Sequence, residues 1–136
     1  MKLTTNFKLK EFINSRFYGE HQNVIDEIFE DNKEQLLPNI QELADNLQVL
    51  RDYTNLPISI NIAFRPMWWE IRQGRSGNSQ HVLGKAADIV IKGFSPKDTY
   101  ALIEYLIGKG MMKNGGLGKY DTFTHYDVRT KGGARW

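Results

Sequence analysis

An α+β fold, with a small, mainly antiparallel sheet packed with helices, is predicted for this chain of 136 residues. Three observations predict it. Apolar residues recur at helical spacing from Leu36 to about Tyr53. Two-residue alternation replaces that period at Ile58, Ile60 and Ile62. The patterns that follow run loop, strand, helix and two more strands, so no long series of βαβ units is available.

The elements follow in order. Residues 7–16 and 21–31 read as short helical pieces. From Leu36 to about Tyr53, Leu36, Leu37, Ile40, Leu43, Ala44, Leu47 and Leu50 mark one helix face, with Pro38 expected in the first turn, where a missing N–H costs nothing. "LPISINIAF" is a half-buried strand. Residues 66–80, rich in Gly, Ser, Asn and Arg, read as a long surface loop that begins with Trp68 and Trp69. "KAADIVIK" is a strand. "SPKDTYALIEYLIGKG" is a helix with Ser95 as N-cap, Pro96 at its first position, and Gly108 or Gly110 past its end. "GGLGKY" and "FTHYDVR" close the fold as two strands.

Composition bounds the function. Hydrophobic content of 40% and charged content of 25% are those of a globular chain, and its length suits one domain, residues 1–136, with an ordinary core. No apolar run of about 18 residues is present, so no membrane span is expected. "MKLTTNFKLKEF" lacks a continuous apolar stretch, so synthesis in the cytoplasm without a signal peptide is expected, which leaves later release open. Without cysteine there are no disulfides, thiolate metal sites or thiol nucleophiles. A net charge of +2, with basic residues scattered rather than striped, argues against a nucleic-acid partner.

The chemistry gathers on two strands. Alternation places Phe123, His125, Asp127 and Arg129 on one side of the last strand, and Asp88 on an apolar face beside Ala86 and Val90. A carboxylate there is costly unless it is paired or bound to a metal. His81, Asp88 and His125 therefore form a candidate two-histidine, one-carboxylate set with a position left open, as catalytic zinc sites have. Ferrous iron is the competing metal, and "HYD" has the close spacing that iron sites use. A buried Asp that pairs with an arginine is the plain structural alternative. "GNSQH" is not a nucleophile elbow, and "GGLG" is not followed by the helix of a phosphate loop. His21 reads as a solvated surface residue. Trp68 and Trp69 read either as groove or as partial core.

The run Ser79, His81, Gly84, Ala86, Asp88 reads S-x-H-x-x-G-x-A-x-D. It resembles the signature of the zinc D-alanyl-D-alanine carboxypeptidases and L-alanyl-D-glutamate endopeptidases, which share a fold with the Hedgehog signalling domain. "INIAFRP" resembles that family's strand ending in a Gly-Tyr-Arg type element. "GGLGKYDTFTHYDVR" resembles the closing block of its phage and bacterial murein-peptidase branch. Together these cover roughly residues 56 to 129.

The resemblance implies zinc held by His81, Asp88 and His125, with Arg65 contacting substrate or the developing oxyanion and Ser79 lying near bound peptide. It implies hydrolysis of peptidoglycan stem-peptide or cross-link bonds involving a D-amino acid, by a protein acting on the cell wall after release or as a phage component. Many members carry an acidic general base three residues before the last histidine, where this chain has Thr122. Asp127, about 7 Å from His125 along a strand, is favoured by distance as the base or as a partner that orients a ligand, and Asp121, about 13 Å away, is the alternative base if a loop carries it over the metal. The same departure leaves open a non-catalytic murein-binding module of the same fold.

Overall fold

A computed structural model describes residues 1–136. Its first third is helical. The first helix, α1 (Lys10–Ile13), is a single turn that buries Phe12 and Ile13. It is shorter than the predicted span because Lys8 bridges Lys2 in extended pairing and Asn14 is extended. One 3-10 turn leads into α2 (Gln22–Asp31), which buries Ile25 and Phe29.

The longest helix, α3 (Lys33–Thr54), buries Leu36, Ile40, Leu43, Ala44, Leu47 and Leu50, the face its periodicity marks. It starts earlier than predicted, since the Asn32 carbonyl accepts the N–H groups of Gln35 and Leu36. Pro38 therefore stands inside the helix rather than in its first turn. The carbonyl deprived of a partner is that of Glu34, an exposed residue, so the break in the ladder falls on the solvent side. Asn55 ends the helix in the left-handed conformation, at φ 54°.

The sheet contains β1 (Ile58–Ile62), β2 (Ala86–Ile91), β3 (Gly116–Lys119), β4 (Thr124–Asp127) and β5 (Ala134–Arg135), in the order β1-β2-β4-β3-β5. Every pairing is antiparallel except that of β3 with β5. The fold is thus α+β with a mainly antiparallel sheet. β5 escapes sequence reading because two residues after a glycine pair show no alternation.

Residues 66–80 are not one loop. Met67–Arg72 form a short helix, α4, after Pro66. Burial of Trp69, edge-on to Tyr18 at 5.0 Å between ring centroids, and of Glu70 outweighs the loop-like composition around them. The capping box of Ser95 and Asp98 opens α5 (Pro96–Gly108) as its sequence predicts.

Alternation sorts the sheet into two faces. Thr124 donates to the Pro96 carbonyl and Tyr126 to the Lys113 carbonyl, so these β4 residues face the helices and the core. Ala87, Ile89 and Ile91 of β2 join the same apolar cluster as Ile40, Leu47, Ile103 and Leu106. Asp88, His125 and Asp127 point the other way, and the register pairs Asp88 directly with His125. On the other flank of β2, Ile60 pairs with Ile89 and Ile62 with Asp88, which leaves Asn61 as the extra residue of a bulge. Beyond it the chain turns toward the Asp88 face.

Candidate metal centre

Three elements bring His81, Asp88 and His125 together. Ser79 caps a 3-10 turn, Gln80–Leu83, by accepting the His81 N–H at 3.1 Å. The His81 Nδ1 lies 2.7 Å from the Ala63 carbonyl. A carbonyl only accepts, so Nδ1 carries the proton and Nε2 is left to face Asp88 Oδ1 at 3.3 Å. From the neighbouring strand, His125 Nδ1 approaches the same oxygen at 3.2 Å. One ligand atom from each residue lies within 4.8 Å of the others, and all three side chains are buried.

Gly84 closes the turn that joins the two halves of this constellation. Its φ is +72°, and a Cβ there would approach Ile40 Cγ1 to 3.0 Å. Gly84→Ala is expected to destabilise the protein by about 1–2 kcal/mol, the cost of a left-handed alanine. Urea denaturation measures this directly; an unchanged midpoint at equal slope would contradict it.

Behind His125 stands Asp127, which is fully buried. Its Oδ2 accepts from His125 Nε2 at 2.7 Å and from Arg129 Nη2 at 2.7 Å. Its Oδ1 accepts from the Gly116 N–H, the Arg129 N–H and Arg129 Nε. Gly116 permits this approach, because a Cβ there would overlap the carboxylate. The Nε2 proton of His125 is thereby fixed on the outer side, leaving Nδ1 toward Asp88.

The electrostatics follow from these contacts. Burial resists ionisation of Asp88, but with the metal absent, protonation of the inner nitrogens of His125 and then His81 lets both donate to it, which outweighs burial and holds the carboxyl below the usual range. Burial likewise opposes the charge of Asp127, and Arg129, His125 and the Gly116 N–H together depress its pKa. For His125 burial acts to lower the pKa, and the bonds to Asp127 and Asp88 reverse the sign and raise it.

The trio opens onto a cavity of about 420 Å³. Arg65 and Ser79 line it, as their sequence context implies. Asp127 does not, and with both oxygens engaged it is placed to orient His125 rather than to meet substrate. Asp121 is exposed and borders a separate depression beside Lys97 and Lys119. Both expected bases thus lie off the cavity, and Asp88 is the only carboxylate on its wall. The geometric reason is that β4 begins at Thr124: Asp121 falls in the β3–β4 turn, while Asp127 meets the rear edge of the His125 ring.

Neither tryptophan of the "WW" pair reaches the cavity; its aromatic wall is Tyr120, Phe123 and Trp136. Trp136 packs 4.9 Å from the His125 ring and donates to the Tyr120 hydroxyl at 2.7 Å. No pattern in the sequence ties Trp136 to this wall. His21 is not simply solvated, since it lies 3.2 Å from Arg72 Nη2 and packs against Trp68 and Trp69.

Two imidazoles and a carboxylate, each held from behind or beside by a protein group, match the donor set of a zinc site with an open position. Among known proteins, a family model described as Peptidase M15 matches residues 6–127. No curated protein and no solved structure matches the chain.

Proposed function

The chain belongs to the peptidase M15 family, and we propose that it is a zinc-dependent peptidase acting on peptidoglycan stem-peptide or cross-link bonds that involve a D-amino acid. The observation carrying this reading is the buried convergence of His81, Asp88 and His125 within 4.8 Å at the edge of a cavity of about 420 Å³. His81 Nε2, an Asp88 oxygen and His125 Nδ1 would hold the ion. Bound zinc supplies Lewis acidity, which polarises a carbonyl and acidifies water.

The remaining roles fall to the chain itself. Ala63 and Asp127 keep the ring protons of His81 and His125 on their outer nitrogens, so the inner nitrogens stay available. Arg65, whose terminal nitrogens have no protein acceptor, faces the cavity and would donate to the oxygen that gains charge as the scissile carbonyl becomes tetrahedral. Ser79 and the aromatic residues Tyr120, Phe123 and Trp136 would flank the peptide. The lack of a second carboxylate on the wall favours one other reading, a module that binds murein without cutting it.

The two readings separate in one experiment. Purified protein is incubated with peptidoglycan with and without zinc, and new amino groups are counted. The peptidase reading expects release that requires zinc and stops with chelator. Retention of murein with no released amine at any zinc concentration would leave the binding module standing.

A further inference from the structure

We infer that Tyr120 is a catalytic residue whose hydroxyl donates a hydrogen bond to the tetrahedral centre formed at the scissile carbonyl, and that Trp136 is the positioning residue that aims it. The inference rests on the peptidase reading and adds to it a donor on the His125 side of the cavity.

The glycine-rich run before Tyr120 clears the space in which this side chain works. Register pairs Gly116 with Asp127 and Gly118 with His125, so both glycines lie on the face that carries the metal trio. A Cβ at Gly116 would overlap the Asp127 carboxylate, and one at Gly118 would run into the Trp136 indole. Leu117, between them, is buried in the core. Tyr120, just past the end of β3, is therefore the first side chain that this line of residues presents on the site face. Its N–H donates to the Phe123 carbonyl at 3.1 Å, which leaves only Asp121 and Thr122 in the turn. The Tyr120 and Phe123 rings stack across that last rung, with centroids 4.6 Å apart and planes 15° from parallel.

Hydrogen bonding fixes how the hydroxyl is used. Trp136 Nε1 lies 2.7 Å from the Tyr120 oxygen, and an indole N–H only donates. The phenolic oxygen is the acceptor, and its own proton has no acceptor in the protein. Tyr18 and Tyr126 differ, since each spends its proton on a backbone carbonyl. Trp136 is itself held by the sheet: its N–H donates to the Leu117 carbonyl at 3.1 Å, and its carbonyl accepts from the Lys119 N–H at 3.0 Å. Its ring packs 4.9 Å from the His125 imidazole and 5.4 Å from the Arg129 guanidinium carbon. One indole thus ties Tyr120 to the His125 side of the trio. Arg65 is tied to the His81 side, through its N–H to the His81 carbonyl at 3.0 Å. Ser79, the other hydroxyl of the cavity wall, caps the His81 turn and belongs to that side too. A tetrahedral carbon carries two oxygens, and donors fixed on opposite sides meet them separately.

Zinc-loaded protein is assayed on soluble muropeptides released from peptidoglycan by a muramidase, and kcat and KM are measured from the amine set free. Tyr120→Phe keeps the stacked ring and removes only the hydroxyl. It is expected to lower kcat by about 100-fold, the scale of losing one donor to a developing oxyanion, with stoichiometric zinc retained. KM should stay within about twofold, as for an interaction made only in the transition state. Trp136→Phe removes the indole N–H that aims the hydroxyl, and kcat is expected to fall on the order of 10-fold. The double variant should be no slower than Tyr120→Phe alone, because Trp136 acts through the hydroxyl. Losses that multiply would take the aiming role from Trp136. A Tyr120→Phe protein with wild-type kcat, or one in which only KM rises or zinc is lost, overturns the catalytic assignment and leaves the peptidase reading standing on the wild-type rate. A wild type that frees no amine from these muropeptides overturns both.

Discussion

Asp88→Ala is expected to yield folded protein without stoichiometric zinc, and hydrolysis of peptidoglycan peptides lower by more than about 100-fold. That bound is the upper end of what losing an outer hydrogen-bond partner of a ligand costs, and Asp88 is a ligand candidate itself. Both histidines converge on its Oδ1, at 3.3 and 3.2 Å. Without it, two imidazoles meet edge-on with ring centroids 5.2 Å apart and no anionic ligand between them. The fold should survive, because the β2–β4 ladder at this position is backbone to backbone and alanine already occupies positions 86 and 87. Metal analysis of the purified variant, with circular dichroism as a check on folding, decides the matter. A variant that keeps one zinc per chain would remove Asp88 from the site.

The second large effect belongs to Asp127. Asp127→Ala strands the guanidinium of Arg129, the Nε2 proton of His125 and the Gly116 N–H around a buried gap. A loss of about 3–5 kcal/mol in unfolding free energy is expected, the range for breaking a buried charged pair from one side. Zinc affinity should fall by roughly 10- to 100-fold, since His125 loses the partner that fixes its tautomer. The sign with pH follows from the depressed pKa of Asp127. Its contribution is present above the unfolded carboxylate value of about 3.9 and fades as pH falls through the lower folded value. The gap between wild type and variant should thus be full at neutral pH and narrow in acid. Denaturation of the metal-free proteins at several pH values measures it. If zinc affinity proved equal in the two proteins, Asp127 would have no part in orienting His125.

Much of this was legible in the residues. The α3 face from Leu36 to Leu50, the capped start of α5 and the alternation around Asp88 and His125 each rest on a local period, and the fold keeps them. What escaped depends on contacts between distant segments. Trp69 makes α4 a helix because Tyr18, some fifty residues earlier, offers it a buried partner. Glu70 looks like one more charge on a polar stretch until the fold sets two arginines against it. The placement of Asp127 was half legible. Alternation put it on the His125 face, but only the Arg129 clamp and the bare Cα of Gly116 turn it to the back of the ring.

The bulge at Asn61 divides β1 into two phases. Ile58 to Ile60 follow the rhythm of Ile89 to Ile91, whereas the chain from Ile62 onward runs one residue out of step with that count. The second phase supplies the carbonyl of Ala63 and the side chain of Arg65. A strand with strict alternation would transmit any change in length along its whole run, flipping each side chain to the opposite face. Here the odd residue is already absorbed before the site begins. The extra residue at Asn61 thus sets the phase in which the Ala63 carbonyl and the Arg65 side chain are presented to the groups around His81.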